Sequence, residues 1–131
     1  MSETMVWPAL RYKDADAALE FLCTAFGFEE KFVARGEDDL DGVIVHAELS
    51  WPLGGGIMFG SVRNTEGVHL ELPVGGSSVY CVTDEPDALF ERATAAGAAV
   101  AQGLRDEDYG SRGFTVSDPE GNYWSFGTYR G

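Results

Sequence analysis

Basic side chains are scarce in this sequence: nine lysines and arginines stand against 22 aspartates and glutamates, a net charge of −13. So acidic a surface repels phosphate backbones and argues against nucleic acid as a partner. Long apolar runs are missing too. Nothing approaches the roughly 18 residues of a membrane-spanning helix, so no membrane partner is expected. Met1–Val6 carries Glu3 and no basic cluster ahead of an apolar core, which predicts no signal peptide and a cytoplasmic protein. There are only two cysteines, Cys23 and Cys81, both in apolar surroundings, and they read as buried free thiols of a reducing compartment. Histidine is limited to His46 and His69, and His69 reads as a surface residue.

What the sequence has in quantity is glycine, 17 residues, together with an internal repeat. At 131 residues it is long enough for one domain with a genuine core. A shift of 70 residues aligns Asp14 with Asp84, Ala18-Leu19 with Ala88-Leu89, Thr24-Ala25 with Thr94-Ala95, and Gly27 with Gly97. Each copy starts on a strand-like run, Pro8 to Tyr12 and Val79 to Val82. The first helix is predicted over Ala15 to Phe26, capped by Asp14 and stopped by Gly27, with Leu19, Leu22, Cys23 and Phe26 as its apolar stripe. The second is predicted over Pro86 to Ala96, stopped by Gly97, with Leu89, Ala93 and Ala96 buried. Strands are predicted over Glu29 to Ala34, Val43 to Ser50 and Ile57 to Gly60, then over Val100 to Gln102, Gly113 to Val116 and Tyr123 to Thr128. Glu37 to Asp41 is an acidic loop, and Asp118-Pro119-Glu120-Gly121 carries the signature of a type I turn. The fold class is α+β: a single domain over 1–131, with module one at 1–66, a linker at 67–76 within the joining stretch Asn64 to Gly76, and module two at 77–131.

That plan, with the closing run Tyr109-Gly110-Ser111-Arg112-Gly113-Phe114 and Asp118-Pro119-Glu120-Gly121-Asn122-Tyr123-Trp124-Ser125-Phe126-Gly127-Thr128, resembles the vicinal oxygen chelate superfamily. Its members include glyoxalases, bleomycin resistance proteins and extradiol dioxygenases. His46-Ala47-Glu48-Leu49 and Ile57-Met58-Phe59-Gly60-Ser61 resemble the third and fourth strands of that superfamily. The resemblance implies two βαβββ modules whose eight strands curl into an open, incomplete barrel. Helices would cover the convex face and a ligand would occupy the concave one. It also implies a homodimer, with the cavity often shared between subunits.

Metal-dependent members place His or Gln on the first strand, Glu on the fourth, His on the fifth and Glu on the eighth. Imidazole and carboxylate donate to a divalent ion there, and open positions chelate substrate. The matching positions here are Trp7, Met58 or Phe59, Ser78 and Ser125. All four depart from the pattern, so no metal and no cofactor are expected, and metal-dependent glyoxalase, dioxygenase or fosfomycin-type transferase activity is not expected either. His46 and Glu48 lie two apart on one strand and share a face, the geometry of a ligand pair or of a general base with an orienting partner.

Period-two alternation then sets which side chains can face the cavity. Trp7, Met58, Tyr80 and Tyr123 supply its apolar wall, with Arg11, His46, Glu48 and Ser125 as polar groups. Tyr109 and Arg112 lead into the closing hairpin, where they either gate the cavity or, for Arg112, pair with an acid such as Asp106 or Glu107. Aromatic walls with a few polar groups suit a planar small molecule. The expected function is a metal-independent small-molecule-binding protein of the bleomycin-resistance type, with antibiotic sequestration as one form of it. Two alternatives stand beside it: a lyase or isomerase using His46 as general base, and a non-catalytic paralogue with a regulatory role.

Overall fold

Leu10 and Tyr12, Ala47 and Leu49, Ile57 and Phe59 are buried and alternate with more exposed neighbours, so each of three strands offers one apolar face. The same alternation recurs at Phe114 and Val116 and at Trp124 and Phe126. The computed structural model describes residues 6–62 and 74–131. His69, Met1 to Met5 and most of the expected linker lie outside the described residues.

The first module runs β1 (Ala9–Tyr12), α1 (Ala15–Phe21) continued by a π-helical turn (Leu22–Phe26), β2 (Glu29–Arg35), β3 (Ile44–Ser50) and β4 (Gly56–Ser61). The second runs β5 (Ser78–Val82), α2 (Pro86–Ala95), β6 (Ala99–Asp106), β7 (Arg112–Ser117) and β8 (Tyr123–Gly127). Each module is thus a βαβββ unit. The strand orders are β1-β4-β3-β2 and β5-β8-β7-β6, with β1 parallel to β4, β5 parallel to β8, and the other pairings antiparallel. No closed barrel forms: among the described residues the two four-stranded sheets stay separate and open.

The helix ends follow local chemistry. Asp14 caps α1 by accepting from the Ala17 amide at 3.0 Å, and Gly27 ends the π turn at φ 91°, a conformation that favours glycine. Glu85 rather than Asp84 precedes α2. The two helices therefore differ by one residue. Ala15, Ala18 and Leu22 take the buried positions that Pro86, Leu89 and Ala93 take in α2, while the terminating glycines keep the 70-residue spacing. The π turn absorbs the extra residue, as such bulges do. It also turns the buried stripe: Ala15, Ala18, Leu22, Ala25 and Phe26 are buried, whereas the expected Leu19 and Cys23 are only half-buried.

One core serves both modules. Phe26, from the π turn, lies 5.4 Å from Trp124 and 4.8 Å from Phe126 on the buried face of the second sheet. Phe28 and Trp51 extend this cluster, and the Trp51 indole N–H donates to the Val82 carbonyl at 2.8 Å. Burying side chains of this size stabilises by about 1.5–3 kcal/mol each. The closing turn ties the modules together from the other side. Asp118 accepts from the Tyr12 hydroxyl at 2.6 Å, and Glu120 accepts from the Lys13 and Asp14 amides at 2.6 and 2.9 Å.

Candidate functional site

With one face of each sheet committed to this core, the described residues leave the opposite faces open. Register places the side chains of the first open face in rows. Ala9, Met58, Glu48 and Phe32 lie side by side across β1, β4, β3 and β2. Arg11 and Gly60 pair in the next row of β1 and β4, and His46 pairs with Ala34 across β3 and β2. Met58 rather than the buried Phe59 therefore belongs to this face. The glycines at 56 and 60 leave room on either side of Met58: an added Cβ at Gly56 would come within 2.9 Å of the Trp7 ring.

His46 Nε2 lies 2.8 Å from Glu48 Oε2, with both side chains partly exposed. A carboxylate only accepts, so the Nε2–H donates and Nδ1 is left to meet a ligand. Glu48 thereby orients the ring and Phe32 flanks it, with centroids 6.2 Å apart. Such a pair can accept a proton from a bound acid or simply anchor a polar group.

The second open face carries Ser78 beside Tyr123, then Tyr80 beside Ser125 and Thr115. Tyr80 and Tyr123 are about half exposed, and the Ser125 and Thr115 hydroxyls share a 2.7 Å hydrogen bond. The Tyr80 hydroxyl donates to the Tyr129 carbonyl at 2.7 Å, and burial raises its pKa. Tyr109 is exposed and meets Tyr129 edge to face. Arg112 turns the other way: alternation along β7 puts it on the helix side with the buried Phe114, where it donates to Asp87 at 2.7 and 3.2 Å and to Asp106 at 3.4 Å. The expected site residues thus divide between two faces, with Trp7, Arg11, His46, Glu48 and Met58 on the first and Tyr80, Tyr123 and Ser125 on the second.

Two cavities of about 370 and 360 Å³ lie instead at the seam between the modules, on either side of Trp51 and Leu53. Their volumes are at the low end for ligand pockets. Apart from Tyr80, which lines the smaller one, neither contains an expected site residue. The open faces concentrate the aromatic and polar groups, so they are the better candidate.

The donor set does not fit a divalent metal. Register makes Trp7 and Met58 of the first module the counterparts of Ser78 and Ser125 in the second, and an indole, a thioether and two hydroxyls make no hard-ion site. No group of three His, Cys, Asp or Glu side chains among the described residues is placed to hold a metal. Cys23 and Cys81 are free, and burial pushes the Cys81 thiol up to about 12, away from nucleophilic use. The sequence did not single out Lys31, Phe32 or Thr115. Phe32 and Lys31 sit at a bulge in β2 whose residues 29–32 are all exposed, so no alternation marks them.

The family model of the glyoxalase/bleomycin resistance protein/dioxygenase superfamily matches residues 4–126. An uncharacterized protein of Mycobacterium bovis is 32% identical over 129 residues, covering 95% of this chain and 83% of that protein. The crystal structure of TioX from Micromonospora sp. ML1 is similar with a TM-score of 0.81 at 31% identity, covering 99% of this chain and all of that one (100%). A glyoxalase/bleomycin resistance protein from Streptomyces sp. CB03234 gives a TM-score of 0.67 at 22% identity over 90% of this chain and 94% of its own, a likeness of fold alone.

Proposed function

The chain belongs to the glyoxalase/bleomycin resistance protein/dioxygenase superfamily, and from that premise we propose that it is a metal-independent binding protein for a planar or partly aromatic small molecule. The observation that carries this reading is the replacement of all four ligand positions by Trp7, Met58, Ser78 and Ser125, beside faces that expose Phe32, Tyr80 and Tyr123. Flat rings stack on aromatic side chains, while His46, Glu48 and the Ser125–Thr115 pair supply orientation. Sequestration of an antibiotic is one form of this function. The guest would be enclosed when the first face of one copy meets the second face of another, so the working unit is a homodimer. A cytoplasmic location suits the two free thiols. Isothermal titration against a panel of antibiotics and flavin-like compounds is expected to give stoichiometric binding without turnover. Measurable turnover with no stoichiometric binding of any panel member defeats the proposal.

The 2.8 Å contact of His46 with Glu48 favours a second reading, a lyase or isomerase in which His46 takes a proton next to a carbonyl. In that case His46→Ala lowers any detected turnover by about 100-fold or more. Unchanged turnover in the variant removes this reading.

A further inference from the structure

The first open face ends on an indole that is already occupied by a cation. Trp7 lies against Gly56, and Lys31 Nζ stands 5.0 Å from the Trp7 ring centre. Trp7 comes from the β1 edge and Lys31 from β2, so the two reach across β4 and β3 to meet over the open face. Lys31 sits at the β2 bulge between Glu30 and Phe32. It has two carboxylate neighbours in sequence, yet it makes no ion pair among the described residues. Arg35, Arg105, Arg112 and Arg130, by contrast, each lie on a carboxylate. Register places Arg11 on the same face. Of the carboxylates on this face, Glu48 is held by His46, and Glu29, which register places in the Gly56–Ser50 row, makes no ion pair among the described residues.

The two partners of this contact want different things from a guest. The indole face carries partial negative charge, so it attracts an ammonium and accepts a neutral ring in an offset stack, but repels an anion placed directly above it. An ammonium lifted from that face needs an anion close by. The net charge of −13 opposes anions at a distance, and screening confines that opposition to about 8–10 Å from each surface charge at ordinary ionic strength. Contacts within this face decide the preference instead. Resting on the binding function proposed above, we infer that the guest is a planar aromatic anion. Its ring takes the outer face of Trp7 in exchange for the Lys31 ammonium. Its carboxylate, or a similar group, lies past the ring edge and is paired there by Lys31. A cationic guest would have to displace Lys31 from the same ring face and would bring no charge of its own to pair it.

Three probes that share one ring test this: 2-naphthoate, 2-naphthamide and 2-naphthylmethylammonium, titrated by calorimetry and by NMR at the Trp7 indole N–H. Naphthoate is expected to bind roughly tenfold or more tightly than the other two, the scale of a charge-assisted contact. In Lys31→Gln that advantage falls below about threefold while naphthamide binding persists, and Lys31→Arg keeps it. Trp7→Ala weakens naphthoate and naphthamide alike. Lys31 is exposed, and a matched thermal melt of each variant shows that folding is intact. Equal affinity for naphthoate and naphthamide, or tighter binding of the ammonium, overturns the anionic guest and leaves the binding function standing. No response at Trp7, Tyr80 or Tyr123 to these probes or to the wider panel overturns both.

Discussion

Asp118 gathers the junction between the modules onto one carboxylate. Its Oδ2 accepts from the Tyr12 hydroxyl, the Asn122 amide group at 3.1 Å and the Trp124 indole at 3.0 Å. Its Oδ1 accepts from the Glu120 and Asn122 backbone amides at 2.9 and 3.1 Å. Removing it orphans a buried hydroxyl and a buried indole N–H, each costing about 1–3 kcal/mol. Asp118→Ala is therefore expected to lose about 2–6 kcal/mol and to lower the calorimetric Tm by about 5 °C or more. Tyr12→Phe, which removes one bond, costs about 1.5–3 kcal/mol. Buried acids that stay protonated add an alkaline limit. Desolvation holds the Cys81 thiol up to about 12, from a reference of 9.0, and raises Tyr12 even further above its own 10.0, with Asp118 adding to the effect. The folded chain keeps these protons while the unfolded chain releases them, so stability falls as pH rises through 9 for Cys81 and through 10 for Tyr12. Each group contributes up to about 1.4 kcal/mol per pH unit. Urea melts from pH 8 to 10.5 should show this decline, and Cys81→Ala should remove the part that begins near pH 9.

At the scale of elements, the π turn explains why the two modules are similar but not superimposable in sequence. Its carbonyls at Cys23 and Thr24 are claimed by Arg92 of α2, which donates to them at 3.1 and 2.8 Å. A cation at a helix C-terminus is favoured on dipole grounds as well, and here it comes from the other module. Gly27 makes space for it: an added Cβ would come within 3.0 Å of the guanidinium, at a φ of 91°. Arg92→Ala should cost about 1 kcal/mol, and Gly27→Ala about 1–2 kcal/mol from strain, both read from urea midpoints with unchanged m-values. The helix boundaries were legible because Asp14, Gly27, Pro86 and Gly97 carry local backbone chemistry. The π turn was not, because matching letters at a 70-residue shift conceal that the buried positions of the helices are 71 apart. The length of β6 was hidden too. Ala99–Asp106 is exposed along nearly its whole length, so no alternation extended it beyond Gln102.

For the molecule as a whole, alternation told which side chains share a face, because a period of two needs no tertiary knowledge. It did not name Asp87, 25 residues away on α2, as the nearer partner of Arg112, although pairing with Asp106 was among the sequence expectations and is present at 3.4 Å. Nor did it tell that the described residues leave both faces uncovered. Phe32, Tyr80 and Tyr123 are each about half exposed on those faces, and exposed apolar surface of that kind commonly marks an interaction site. If two copies cover them mutually, association must overcome repulsion between chains of −13 each. The apolar contribution to such an interface is insensitive to screening, whereas the repulsion is screened over a length that shrinks from about 30 Å at 0.01 M salt to about 3 Å at 1 M. Salt should therefore tighten the dimer, the opposite of what an interface held by complementary charges would do. Sedimentation equilibrium at 0.02 and 0.5 M sodium chloride is expected to show a several-fold lower dissociation constant at the higher salt. Phe32→Asp combined with Tyr123→Asp places two carboxylates in the covered area and should weaken the dimer by at least about tenfold, because a buried charge without a partner is strongly penalised. A chain that stays monomeric at both salt concentrations and at high protein concentration would show that each face binds its guest alone.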